Sequence, residues 1–248
     1  MSITFERGYS ITLAALPIST ASLVTSGLVM NLQTAPSSGT TWTSTVSSSF
    51  YSASLITTGG GTLAYTGSYG GGIVAGGTNG STTAICTPYN LTSSFSIEMV
   101  VQPNATSYWS VLWGNEIYST KGYWAYWSNS TTLIAGSVSS NATWNSNPIA
   151  TLNVPVHLVF TLTGTTFRMY KNGVLQNANG GSFIVPSGGV STTGLNFGSR
   201  HPNSVGTANT PTDSLKGVYY QMRVYNKELS QTEVTQNFDT IKSTYSLG

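Results

Sequence analysis

The chain has 248 residues, 39% of them hydrophobic and only 6% charged, with a net charge of +2. Six Trp, fourteen Tyr and eight Phe supply a sizeable core and exclude a disordered polar chain. No apolar run approaches the roughly 20 residues of a membrane-spanning helix, and nine basic residues without a cluster argue against nucleic acid as a partner.

Cys86 is the single cysteine, so neither an internal disulfide nor a cysteine-based zinc site is available. It reads as a small buried hydrophobe. The excess of Gly, Ser, Thr and Asn suits turns and exposed strand faces.

Residues 1–26 hold two β-like apolar runs, 11–16 and 21–24, and are expected to form an extra strand or an attachment arm. Glu6 and Arg7 precede Gly-Tyr-Ser, and Thr12 and Pro17 interrupt the apolar stretch 11–18, which does not follow the pattern of a signal peptide. Residues 27–32 are a compact strand. Residues 34–49 read as a loop with Trp42 as its anchoring indole. The stretch 59–80 is glycine-rich, implying tight turns and close backbone approach. It is not a phosphate loop, because no Gly-Lys-Ser/Thr follows.

Residues 95–101 alternate cleanly and end at Pro103. Phe95, Ile97, Met99 and Val101 share one face; Ser96, Glu98 and Val100 share the other. Two aromatic strands, 109–113 and 123–127, follow, then a strand over 133–138 and a polar loop around Trp144. The stretch 156–176 is a three-stranded meander. It alternates with period two, turns at Gly164-Thr165 and again at Asn172-Gly173, a strong signal for a type I′ hairpin. Such a meander cannot bury its apolar faces alone. Residues 194–198 form a short strand, 199–214 a polar loop and 215–225 a long strand.

The last element is helical. Ser230 and Glu233 form a capping box, Leu229 and Val234 sit at the staple positions, and Val234, Phe238 and Ile241 share a face. The pattern predicts a helix from about 231 to 242. The chain is therefore expected to be all-β, a two-sheet antiparallel jelly-roll β-sandwich with a short C-terminal α-helix.

Several stretches in this order carry a family resemblance: Gly27-Leu-Val-Met-Asn-Leu, Gly39-Thr-Thr-Trp-Thr, Gly72-Ile-Val-Ala-Gly-Gly-Thr-Asn, Phe95-Ser-Ile-Glu-Met-Val-Val-Gln-Pro, His157-Leu-Val-Phe with Phe167-Arg-Met-Tyr-Lys-Asn-Gly, and Met222-Arg-Val-Tyr-Asn-Lys-Glu-Leu-Ser-Gln-Thr-Glu. Over residues 27–248 the chain resembles the laminin-G-like, concanavalin A-like lectin/glucanase superfamily, of the kind found in phage virion and bacterial surface proteins. The resemblance implies two antiparallel sheets packed face to face, with residues 1–26 as a separate arm or extra strand.

The chain departs from that pattern at acid after acid. Leu32-Gln33, Trp42-Thr43-Ser44, Gly76-Gly77-Thr78-Asn79-Gly80 and Gly217-Val218 stand where similar domains carry Asp or Glu. Calcium takes six to eight oxygen ligands, several from carboxylates. The family's calcium site is thus depleted, with Asp213 as its one remaining acidic candidate, and no other cofactor is implied.

The superfamily includes glycosidases, which need paired carboxylates about 5–10 Å apart. The seven acids are Glu6, Glu98, Glu116, Asp213, Glu228, Glu233 and Asp239, and no two stand at i, i+2. His157 and His201 have no nucleophile-elbow serine to serve. Binding is the expectation instead. Trp109, Trp113, Tyr123, Trp124, Tyr126 and Trp127 form a dense aromatic segment, followed by Asn129, Asn141, Trp144 and Asn145; Arg200 and His201 begin a second polar candidate. Aromatic platforms beside amides are the chemistry of sugar recognition. Alternation places Tyr123 and Trp127 on one face and Trp124 and Tyr126 on the other, so some of these rings leave the core and others fill it.

The sequence expectation is a non-enzymatic lectin-like protein of the virion surface, a capsid decoration or fibre component. It would dock onto other virion proteins or onto itself as a homo-oligomer, with glycans as further partners. A secreted or cell-surface carbohydrate-binding adhesin is the alternative, and a glycoside hydrolase the second alternative.

Overall fold

The computed structural model describes residues 2–4, 10–12, 21–46, 52–58, 63–76, 82–105, 110–115, 122–129, 132–137, 140–145, 150–177, 194–199, 202–203, 207–208 and 215–248. In chain order the strands are β1 (Ser2–Thr4), β2 (Ser10–Thr12), β3 (Leu28–Leu32), β4 (Thr41–Trp42), β5 (Ala53–Thr58), β6 (Ala64–Thr66), β7 (Gly72–Ala75), β8 (Thr82–Thr87), β9 (Ser94–Ala105) and β10 (Ser110–Gly114). They continue as β11 (Tyr123–Trp127), β12 (Thr132–Ser137), β13 (Ser140–Asn145), β14 (Val156–Thr163), β15 (Thr166–Lys171), β16 (Val174–Gln176), β17 (Leu195–Phe197), β18 (Pro202–Asn203), β19 (Thr207–Ala208) and β20 (Lys216–Tyr225), followed by α1 (Gln231–Ile241).

Two antiparallel sheets face each other. The first runs β16-β15-β14-β9-β20-β7-β6, and β3 pairs with β20 as well. β7 takes residues 217–219 of β20 and β3 takes 222–225, so the two short strands share one edge of the long one. The second sheet runs β13-β12-β11-β10-β17-β8-β5-β4. Pairs β1-β2 and β18-β19 form separate two-stranded sheets.

Alternation along each strand decides what fills the space between. Phe95, Ile97, Met99 and Val101 of β9 point inward with Leu158, Phe160 and Leu162 of β14, and all are fully buried. Trp113 lies edge-on to both Phe95 and Phe160, with ring centroids 6.0 and 5.6 Å apart, and so locks β10 of one sheet to β9 and β14 of the other. Tyr219 of β20 donates its hydroxyl to the Leu112 carbonyl at 2.6 Å, a direct hydrogen bond across the core.

The meander forms as its alternation requires. Its first turn is Gly164-Thr165; its second has φ 47° at Asn172 and 78° at Gly173, the two positive values of a type I′ turn. Its outward face is covered by α1: Val159 and Tyr170 cluster with Tyr225, Leu229 and Val234. The capping box is present, with Ser230 accepting from the Glu233 amide.

Several elements differ from the sequence reading. Strands β5 and β8 carry no turn-bounded apolar alternation; they are largely Thr, Ser and Ala, and their neighbours rather than their composition make them strands. The glycine-rich stretch contains β6 and β7, where Gly72 permits Val218 and Tyr220 to close on the backbone, within 2.6–2.8 Å of where a Cβ would stand. Strand β9 continues through Pro103, because the facing β20 bulges between Lys216 and Gly217. Residues 21–24 are irregular rather than extended pairing chain; the Val24 amide donates to Asn237 of α1 instead. The stretch around Trp144 is strand β13, paired with β12 along its length, and β18-β19 interrupt the expected loop 199–214. The run 11–16 lies largely outside the described residues.

Candidate functional site

The outward face of the first sheet carries a buried polar cluster centred on Glu98, which is 2% exposed. Pairing sets its geometry. Asn31 of β3 lies opposite Arg223 of β20, and Arg223 lies opposite Glu98 of β9; His157 enters from β14, opposite Val100 and two residues along from Glu98. Glu98 Oε1 accepts from Arg223 Nη1 at 2.8 Å and from His157 Nε2 at 3.0 Å. Oε2 accepts from Asn237 Nδ2 at 2.7 Å and from the Tyr225 hydroxyl at 3.3 Å. Arg223 Nε donates to Asn31 Oδ1, and Asn237 Oδ1 accepts from the Val24 amide at 2.9 Å.

Burial alone pushes the Glu98 carboxyl up, but Arg223, His157 and Asn237 outweigh it and hold it at about 2. The carboxylate is ionised, four times hydrogen-bonded and sealed under α1. It cannot deliver a proton near neutrality, and its lone pairs are committed. The sequence reading gave Glu98 no second acid at i, i+2; the structure gives it four hydrogen-bond partners. Its partners lie 59 to 139 residues away, so no local pattern could reveal them.

The other described acids are also engaged. Glu228 pairs with Arg168. Glu233 closes the capping box and meets Lys227 at 2.5 Å. Asp239 meets Lys242 at 2.7 Å. Glu6, Glu116 and Asp213 lie outside the described residues. Among the described residues no group of three His, Cys, Asp or Glu is placed to hold a metal ion. Burial pushes the Cys86 thiol up to about 12, in keeping with an unreactive buried side chain.

The aromatic segment divides by the pleat. Trp113, Tyr123 and Trp127 are fully buried between the sheets. These three rings are core, which removes them as a ligand surface; the alternation had put Tyr123 and Trp127 on one face without saying which face was inner. Trp124 and Tyr126 lie on the outer face of the second sheet, their rings 5.0 Å apart, packed with Val111 and 3% and 4% exposed. Asn129 is exposed just after β11. Trp109, Arg200 and His201 lie outside the described residues, as does the Trp144 side chain.

The family description "Concanavalin A-like lectin/glucanases superfamily" matches residues 75–235. No curated protein matches the chain in sequence. Among solved structures, domain 4 of AbnA, an extracellular arabinanase from Geobacillus stearothermophilus in complex with arabinotriose, is 17% identical with a TM-score of 0.57; the match covers 85% of this chain and 97% of that one. The binding domain of Botulinum neurotoxin DC, in complex with rat synaptotagmin II, is 12% identical with a TM-score of 0.61, over 87% of this chain and 52% of that one. A mutant Trypanosoma rangeli sialidase is 14% identical with a TM-score of 0.57, over 91% of this chain and 34% of that one. The chain thus spans about half or less of the toxin and sialidase chains, and these similarities are similarities of fold. With the family match covering well over half of the residues, the chain belongs to the concanavalin A-like lectin/glucanases superfamily.

Proposed function

We propose that this chain is a non-enzymatic, lectin-like module of a virion surface, a capsid decoration or fibre component, that docks onto protein neighbours and glycans. The engagement of Glu98 carries the non-enzymatic half of this reading. A glycosidase needs one carboxyl poised to give a proton and another facing the sugar; Glu98 is ionised, walled in and held by Arg223, His157, Tyr225 and Asn237. The binding half is supported by proteins of similar fold. The arabinanase domain is in complex with arabinotriose, one neurotoxin binding domain is in complex with synaptotagmin II, and another neurotoxin structure is described by dependence of cell entry on two ganglioside molecules.

In this reading residues 27–248 are the binding sandwich, residues 1–26 are an attachment arm or an extra strand, and the assembled form is a homo-oligomer. The low charge and the Ser, Thr and Asn surface suit an exterior that contacts neighbours by shape rather than by charge. A secreted adhesin is the second reading, favoured by the extracellular arabinanase among the similar structures. Mass spectrometry of purified particles from the source tests the virion assignment: the chain is expected among the structural proteins, and its absence there leaves the adhesin.

A further inference from the structure

Outside the polar cluster, three tyrosines meet on the outer face of the first sheet. Tyr69 follows β6, Tyr220 projects from β20 and Tyr245 follows α1. Ring centroids are 5.3 Å apart for Tyr69–Tyr220, 5.8 Å for Tyr220–Tyr245 and 6.1 Å for Tyr69–Tyr245. Tyr220 and Tyr245 are nearly buried, whereas Tyr69 is 37% exposed. Alternation along β20 points Tyr220 outward while Tyr219 remains in the core, and the bulge between Tyr219 and Gln221 then returns Met222 to the core.

Two features set Tyr69 apart from ordinary surface packing. Its backbone is left-handed, φ 53° and ψ 32°, a conformation costly for a bulky side chain, and it stands among Gly67, Gly70 and Gly71, any of which would accept that conformation more easily. Polar groups also flank the rings. Gln102 Oε1 accepts from the Tyr220 hydroxyl at 3.0 Å, and Gln102 Nε2 donates to Asn104 Oδ1 at 3.1 Å. Gln102 and Asn104 alternate onto the same outer face of β9, and Asn104 is exposed, with its amide nitrogen left to donate.

The spacing selects the ligand class. Centroids within about 4.5–7 Å are rings in mutual contact, so the tyrosines form a platform and not a cage with room for a cation between them. An exposed Tyr69 ring backed by two buried tyrosines, beside the Asn104 amide donor, fits the apolar C–H face and equatorial hydroxyls of a neutral sugar ring. We propose that Tyr69, Tyr220 and Tyr245, with Gln102 and Asn104, are a glycan-binding patch that takes one neutral sugar unit, stacked on Tyr69 and hydrogen-bonded by Asn104. The proposal rests on the lectin-like reading above and names its site.

The test is binding of the full chain to an array of neutral glucose, galactose and arabinose oligosaccharides, with affinities of the hits measured by calorimetry. Tyr69→Gly is the informative variant, because glycine adopts the left-handed backbone without strain. The expected result is at least a ten-fold loss of affinity with the thermal midpoint kept, retention in Tyr69→Trp, and a several-fold loss in Asn104→Ala. Wild type and Tyr69→Gly binding equally well would overturn the patch while leaving the lectin-like reading intact. A midpoint that drops in Tyr69→Gly, with affinity unchanged in Asn104→Ala, would show the ring to be packing and also overturn the patch. Retention of no glycan by the wild type would overturn both the patch and glycan binding.

Discussion

Glu98 and Arg223 face each other directly across the β9–β20 pairing, Oε1 to Nη1 at 2.8 Å, and each is only 2% exposed. Burying a charge pair costs several kcal/mol per ion unless the geometry and the remaining hydrogen bonds repay it. Here His157, Tyr225, Asn237 and Asn31 satisfy both partners. The pair joins the sheet to the helix lying over it.

Removing one charge leaves the other stranded. Glu98→Gln is expected to cost about 3–5 kcal/mol, because Arg223 stays buried without its counter-ion. Replacing both, as Glu98→Leu with Arg223→Met, should cost markedly less than the sum of the two single changes. Urea unfolding midpoints of the wild type, Glu98→Leu, Arg223→Met and the double variant measure this; additive losses would show that the two side chains are not coupled.

The same carboxylate governs acid stability. Its folded value of about 2 lies below the ordinary 4.5, so the folded state binds this proton less readily than the unfolded chain. The contribution is therefore fully present above the unfolded value and is lost as pH falls from about 4.5 through 2, with a size of a few kcal/mol. Urea midpoints at pH 7, 4.5 and 2.5 should fall steeply for the wild type and more gently for Glu98→Gln. Parallel slopes would contradict the assignment.

Helix α1 is held by two devices of different depth. Ser230→Ala removes an exposed cap and should cost about 1 kcal/mol. Asn237→Leu leaves Glu98 Oε2 and the Val24 amide each short of a partner in a buried site, which should cost about 2–3 kcal/mol or more. Hydrogen exchange should then rise in residues 21–25 and in α1 for Asn237→Leu, and chiefly in the first helical turn for Ser230→Ala.

Trp113 should behave as core. Trp113→Ala opens a cavity between Phe95 and Phe160 and is expected to cost about 3–5 kcal/mol. Glycan affinity of the fraction that remains folded should be unchanged; a selective loss of binding with stability preserved would return this ring to the list of ligand contacts.

Much of this architecture was legible in local patterns. The period-two runs of β9 and β14, the long strand β20, the Asn172-Gly173 turn and the Ser230–Glu233 box were readable over short stretches, and all are present in the structure. Strands β5 and β8 were not legible, since polar, small-residue strands draw their conformation from the neighbours they pair with. The aromatic segment showed that its rings must split between two faces, but only the packing of Phe95 and Phe160 against Trp113 reveals which face is inner. The Glu98 cluster and the three tyrosines were hidden for a related reason. Each joins strands and helix distant in sequence, and alternation places a side chain on a face without naming what covers it.

The central claim is binding without hydrolysis, and one measurement addresses it directly. The full chain is incubated with immobilised neutral polysaccharides while retention and newly released reducing ends are followed together at neutral pH. Retention with reducing ends no higher than in buffer is the predicted result. Steady release of reducing ends by the wild-type chain would contradict the account.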